Sequence, residues 1–352
     1  MKKPKKTLMH ALAASVLLST SSVSFAELVM NPSGNSSGQA SLSWSNDDAS
    51  KLLNGDSIDV DDEPSPQGSS TFTTTLRSSN TAPVTSAPTA STQILDTSYY
   101  NNQPSVNSRA ALVMDAKTGE VLYSKNTNTA LPIASITKLM TAVVTADARL
   151  NMSEDITLQS IDFAGAGGKN SSSTLKAGDT MNRAEMLLVA LMKSENPAAA
   201  ALARTYPGGR SAFIAAMNAK ARQLGMTSTH YVESTGLDVR NVASARDLGI
   251  LVSAASQYGL IRQFSTTAHY DFNLGYRVLK SNNTNALVRN GGWNINISKT
   301  GYINEAGRCV VMHTTVNNRP AVVVLLGASS SQARTNDANN LLNWVSNLPK
   351  RV

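Results

Sequence analysis

Apolar residues recur at two spacings along this chain, and they do so only from about residue 109 onward. Ala110–Met114 and Glu120–Tyr123 read as two strands around Asp115–Gly119, a hairpin turn with glycine where φ must be positive. From Ser135 the period changes, with Leu139, Met140, Val143 and Val144 falling on one helical face. Residues 181–193 continue that period, Ser194-Glu195-Asn196-Pro197 interrupts it, and 198–204 resume it. A further helix is predicted over 213–224, stopped by Gly225, and Ser244–Asp247 resembles a capping box before a helix over 248–255. Then the pattern turns extended: 293–299 alternates, 310–315 is apolar, and 321–326 reads as a buried strand. Leu341, Leu342 and Trp344 lie in a closing amphipathic helix. Hairpin, helical block, consecutive strands and helix predict a mixed α/β domain. In it a largely antiparallel sheet pairs first and last strands, and helices cover its faces. No internal repeat is present.

Composition separates this part from what precedes it. Residues 1–26 read as a secretory signal: Lys2, Lys3, Lys5 and Lys6, an apolar centre from Leu8 to Leu18, and Ser24-Phe25-Ala26 as cleavage site. Export with cleavage after Ala26 is the expectation, into a periplasm, with an uncleaved anchor as the alternative; the apolar run is short and mixed for a span. Residues 27–107 are rich in Ser, Thr, Asn, Asp and Pro, too poor in apolar surface to offset their ordering entropy, and are expected to be a disordered spacer. The catalytic part is expected over 108–348.

Charge and cysteine narrow the chemistry. The first 26 residues carry +4 and residues 27–107 carry −7, so the remainder holds +10 of the overall +7. A basic folded part suits an anionic substrate. Scattered bases in an exported chain do not suit nucleic acid. Cys309 is the only cysteine, so no intramolecular disulfide forms, and its apolar setting marks it as a buried small hydrophobe.

Ser135 and Lys138 stand three residues apart, one helical turn, in Pro132-Ile-Ala-Ser-Ile-Thr-Lys138. A serine hydroxyl needs a base, and a lysine serves as one if its pKa is lowered. Alone the spacing is weak: serine is a common cap, and Ser173-Thr-Leu-Lys176 repeats the pattern in a strand-and-turn setting. Ser194-Glu195-Asn196 follows about sixty residues later, although S-x-N recurs throughout this Ser/Asn-rich chain. Lys299-Thr300-Gly301 ends an alternating strand, where glycine permits close approach of a ligand. Its copy Lys117-Thr118-Gly119 is explained as turn chemistry.

The three elements in this order are those of active-site serine β-lactamases and penicillin-binding proteins. With Leu131–Thr141, Met186–Asn196, Leu224–Met226, Gly236-Leu237 and Lys299–Gly307, the chain resembles the low-molecular-mass serine D-alanyl-D-alanine peptidases over about 108–348. Ser-Glu-Asn, and a chain ending soon after the last helix, look most like the penicillin-binding protein 7 type. The larger carboxypeptidase relatives carry a C-terminal β domain and an amphipathic membrane helix, for which the few residues after Trp344 leave no room. The resemblance implies a β-lactamase/DD-peptidase-like transpeptidase fold with an all-helical subregion, and DD-endopeptidase activity on peptidoglycan cross-links. It also implies β-lactams as covalent inhibitors and no cofactor; a monomer without a stable membrane anchor is the default.

By the same resemblance, Ser135 forms an acyl-enzyme, with Lys138 as base, its ammonium disfavoured by desolvation and by Lys299. Ser194 relays a proton to the leaving amine, and Asn196 orients Lys138 and binds substrate amide. Lys299 supplies positive charge, Thr300 holds a carboxylate, and the N–H groups of Ser135 and Tyr302 form the oxyanion hole; Gly301 completes the substrate strand. His230, His269 and His313 show no metal-ligand spacing. A D-alanyl-D-alanine carboxypeptidase uses the same serine and is the alternative reaction. A β-lactamase would add a water-activating glutamate, for which Glu233 is the nearest candidate. A non-catalytic peptidoglycan-binding protein is the alternative of another class.

Overall fold

The computed structural model describes residues 102–349 apart from Ser171. The expected export segment and residues 27–101 of the expected spacer lie outside the described residues. In chain order the elements are β1 (Ala110–Asp115), β2 (Val121–Lys125), β3 (Leu131–Pro132), α1 (Thr137–Asp147), β4 (Asp155–Thr157), β5 (Thr180–Asn182), α2 (Arg183–Met192), α3 (Asn196–Arg204) and α4 (Gly209–Gln223). They continue with β6 (Val242–Ala243), α5 (Ala245–Ala255), α6 (Gly259–Thr266), β7 (His269–Asn273), β8 (Val278–Asn282), α7 (Ala286–Asn290), β9 (Asn294–Ile303), β10 (Gly307–Val316), β11 (Arg319–Ala328) and α8 (Ser331–Ser346).

The main sheet has the order β2-β1-β11-β10-β9, and every pairing is antiparallel. The first strand therefore pairs with the last, as the strand-helix-strand order predicts. Because side chains alternate across a strand, β11 divides its apolar run between two cores. Val322, Val324 and Leu326 face the helical block, together with Leu112 and Val311. Val323 and Leu325 face α8, where Leu341, Leu342 and Trp344 close the opposite layer.

The start of the packed chain is fixed by one buried carboxylate. Asp337 of α8 accepts the backbone N–H groups of Asn107 and Ser108 at 2.8 Å each and the Ser108 hydroxyl at 2.7 Å. Val106 is buried in the α8 core, so packing begins slightly before residue 108. Three elements carried no strong sequence signal: α6, the β7–β8 hairpin and α7. The loop Asn283–Asn285 between β8 and α7 joins the helical block to β9. Thr284 N–H donates to the Met192 carbonyl at 2.8 Å, and the Thr300 hydroxyl donates to the Thr284 hydroxyl at 2.7 Å.

Two decoy motifs resolve as turns. Asp115 Oδ1 accepts the N–H groups of Lys117 and Thr118, and Gly119 has φ +75°. Ser173 and Thr174 donate their hydroxyls to Glu195, while Lys176 is exposed.

Replacing Asp337 with alanine leaves two backbone donors and a hydroxyl buried without their acceptor. The expected cost is about 2–3 kcal/mol of unfolding free energy in a urea titration. A loss below about 0.5 kcal/mol, the range of neutral surface changes, would show that the carboxylate does not anchor this junction.

Candidate active site

The turn that carries Ser135, the expected nucleophile, is strained. Ile133–Ser135 precede α1, with Ala134 at φ +48°, a region that L side chains rarely adopt. Ser135 sits in a 3₁₀ turn over 134–136 and caps nothing, so it lies just before the α-helix and not inside its first turn. Two glycines make this turn possible. A Cβ on Gly236 would lie 1.9 Å from the Ala134 carbonyl oxygen, and one on Gly301 would lie 3.0 Å from both the Ile133 oxygen and the Ser135 nitrogen. The glycine of Lys-Thr-Gly thus packs closely on the turn that carries Ser135, where a Cβ would make a tight contact and the sequence pointed to a ligand.

Lys138 is fully buried. Its Nζ lies 3.0 Å from Ser135 Oγ, 2.5 Å from Asn196 Oδ1 and 2.7 Å from the Thr235 carbonyl oxygen. The last two atoms only accept. In the neutral amine both N–H bonds go to them, which leaves the lone pair for the Ser135 hydroxyl proton.

Burial pushes the Lys138 pKa down to about 7, against the opposing pull of Glu233 and Glu195. Desolvation is therefore the cause, and the expected depression by Lys299 is not among the causes. The repulsion shows on the other partner instead. Lys299, 1% exposed, is held well below the usual lysine range by burial, then by Lys138 and Arg334. Its Nζ donates to the Thr300 carbonyl at 2.9 Å.

Glu233 is not poised over a water. Its carboxylate accepts the N–H groups of Thr235 at 2.5 Å and Gly236 at 2.6 Å and the Asn241 amide at 3.0 Å. It folds the 233–238 loop so that the Thr235 carbonyl meets Lys138. Thr141 and Ser234 fasten that loop to α1 and α3.

The remaining expected residues assemble around this pair to different degrees. Asn196 begins α3 and reaches Lys138 directly. Ser194 adopts φ +66° between α2 and α3, and its hydroxyl makes no hydrogen bond among the described residues. Thr300 is buried, and Tyr302 is 45% exposed on β9, the edge strand.

Sequence reading missed the Thr235 carbonyl and Arg334. A backbone acceptor leaves no residue-type signature. Arg334, in the first turn of α8, is 8% exposed and has no hydrogen-bond or ion-pair partner for its guanidinium among the described residues. Burial, with Arg308 and Arg289 nearby, lowers its pKa. A buried arginine without a partner among the described residues, within electrostatic reach of Lys299, has the chemistry that binding an anion would call for.

Residues 97–330 match the family model described as D-alanyl-D-alanine carboxypeptidase. The chain is 46% identical to a D-alanyl-D-alanine endopeptidase of Pseudomonas aeruginosa over 250 residues, covering 69% of this chain and 78% of the relative. It is 45% identical to one of Escherichia coli over 247 residues, covering 69% and 79%. In structure it is similar to the Streptomyces K15 DD-transpeptidase, with TM-score 0.63 and 29% identity over 69% of this chain and 98% of that one.

Gly236→Ala is expected to displace the nucleophile turn and slow acylation by a fluorescent penicillin about 100-fold, the effect of a misplacement near 1 Å. Gly119→Ala, with nothing within 4 Å of the added atom, is the control and should leave acylation unchanged. Equal rates for both variants would refute the steric account.

Proposed function

This chain belongs to the D-alanyl-D-alanine carboxypeptidase family of serine peptidases, and we propose that it is a D-alanyl-D-alanine endopeptidase that opens peptidoglycan cross-links through an acyl-enzyme on Ser135. The observation that carries this reading is the Lys138 amine, buried, with two acceptor-only partners and its third contact on the Ser135 hydroxyl. Lys138 takes that proton as Ser135 attacks the carbonyl between two D-configured residues. The N–H groups of Ser135 and Tyr302 receive the developing oxyanion. Ser194, whose hydroxyl makes no hydrogen bond among the described residues, passes a proton to the leaving amine. Water then releases the acyl group, and a β-lactam acylates the same serine.

Thr300, Lys299 and Arg334 hold the carboxylate next to the scissile bond. In a cross-link that carboxylate belongs to the residue whose amine departs. Its arrival supplies the negative charge that the buried cations lack. The same anchor serves a terminal D-alanine, so D,D-carboxypeptidase activity is the second reading. The names of the two relatives above favour the endopeptidase.

Location follows from the leader-like start of the sequence: we place the enzyme in the periplasm, cleaved after Ala26 and acting as a monomer. Among the described residues no helix is long and apolar enough to cross a membrane.

Ser135→Ala is expected to abolish covalent labelling by fluorescent penicillin; persistent labelling at another residue would remove Ser135 as nucleophile. Wild-type enzyme should cleave cross-linked muropeptide dimers faster than it trims pentapeptide monomers, and the reverse order would make it a carboxypeptidase.

The base must be neutral, and Lys138 loses its proton near pH 7. The acylation rate should therefore rise with pH through about 7 to a plateau, falling to about one-tenth of it one pH unit below the pKa. A profile flat from pH 5.5 to 8.5 would exclude Lys138 as the base.

A further inference from the structure

The carboxylate anchor is one end of a larger cationic surface. Thr300 and Tyr302 are two residues apart on β9, so their side chains share a face. Across the sheet Arg308 of β10 is registered with Tyr302, and its guanidinium lies 3.5 Å from the centre of the tyrosine ring. The ring is held at its far end, where Tyr302 Oη donates to Asn304 Oδ1 at 2.7 Å. Arg334 of α8 and Arg289 of α7 complete the neighbourhood. Arg289 donates to the Asn283 carbonyl at 2.5 Å.

None of these three arginines pairs with a carboxylate among the described residues. The β9–β10 hairpin, α7 and α8 contain only two acids, Glu305 and Asp337. Glu305 pairs with Lys169, and Asp337 binds Asn107 and Ser108. The surface therefore holds more positive charge than one substrate carboxylate balances, and that charge is directed by a stacked ring. Arginine on an aromatic face is pre-organised for planar anions.

We propose that the Tyr302–Arg308 platform binds a second carboxylate on the leaving strand of the cross-link and so selects cross-linked substrate over a single terminal residue. A terminal D-alanine leaves as one amino acid with one carboxylate, which Thr300 and Arg334 already accommodate. A cross-link leaves as a whole stem peptide bearing further carboxylates. This inference rests on the endopeptidase reading, since only that reaction places a peptide beyond the scissile bond. Arg308 contributes no atom to acyl transfer, so its role is specificity and not chemistry.

The test compares wild type, Arg308→Ala and Arg308→Lys on three probes: fluorescent penicillin, a pentapeptide monomer, and a muropeptide dimer with leaving-strand carboxylates either free or amidated. In Arg308→Ala, kcat/KM on the free-carboxylate dimer should fall about tenfold, mainly through KM. Penicillin acylation and monomer trimming should stay within about twofold, and Arg308→Lys should recover part of the loss. Wild type should prefer the free over the amidated dimer, and Arg308→Ala should lose that preference. Equal losses on monomer and dimer, or an unchanged dimer preference in Arg308→Ala, overturn the platform while leaving the endopeptidase reading intact. Wild-type enzyme that acylates with penicillin and trims monomers but leaves both dimers uncut overturns both.

Discussion

The structure depends on one amine kept out of water. Moving an ammonium ion from water into a protein interior is costly unless a carboxylate pairs with it or it gives up its proton. Among the described residues Lys138 has no carboxylate within bonding distance; its partners there are an amide oxygen, a main-chain carbonyl and a hydroxyl. Burial therefore lowers its pKa to about 7, where the ammonium and the free amine are of similar free energy at neutral pH. Those partners come from different parts of the chain: α3 through Asn196, the 233–238 loop through Thr235, and the nucleophile turn itself. Packing of the helical block is thus directly coupled to the protonation state of one side chain.

Geometry at the nucleophile is obtained by enclosing strained backbone. Ala134 and Ser194 both sit at positive φ without being glycine, one beside the serine and one between α2 and α3. Such residues persist when surrounding contacts over-determine them. Gly236 on one side leaves no room for a side chain against Ala134, and Gly301 on the other packs closely on 133–135. The edge strand is held to the helical block through Thr300 and Thr284, whose own N–H meets the end of α2. The sheet edge, the nucleophile turn and the turn after α2 are therefore fixed by short direct contacts.

Much of this was legible from residues alone. Period-2 and period-3.6 patterns located both halves of the sheet and most of the helical block, because burial on one or both faces writes itself into side-chain type. Elements with divided exposure were lost: α7 buries none of its five residues, and β7 and β8 are largely polar. The site was legible where it uses side chains in sequence-local patterns, as at Ser135 and Lys138. Thr235 contributes a carbonyl that any residue could offer, and Arg334 is one arginine among many, thirty-five positions beyond Lys299. Glu233 was the nearest candidate in the sequence for the water-activating glutamate of a β-lactamase, in surroundings that match the peptidases better. The fold turns it onto its own loop, where backbone donors occupy it.

Buried cations without counter-ions mark where the molecule is built for something it does not contain. Lys299 and Arg334 are each almost fully buried, Arg334 adds to the lowering of the Lys299 pKa, and among the described residues no acid pairs with either. A chain selected for stability alone would replace one of them or supply a carboxylate, since an unpaired buried charge is among the more destabilising features a core can hold. On the proposed reading, a substrate anion would relieve that stress on binding, and the cost in the free enzyme would become selectivity for a ligand that brings the missing charge. The surroundings separate the two lysines: the hydrogen-bond partners of Lys138 among the described residues are neutral, whereas Lys299 lies within electrostatic reach of two other buried cations, Lys138 and Arg334.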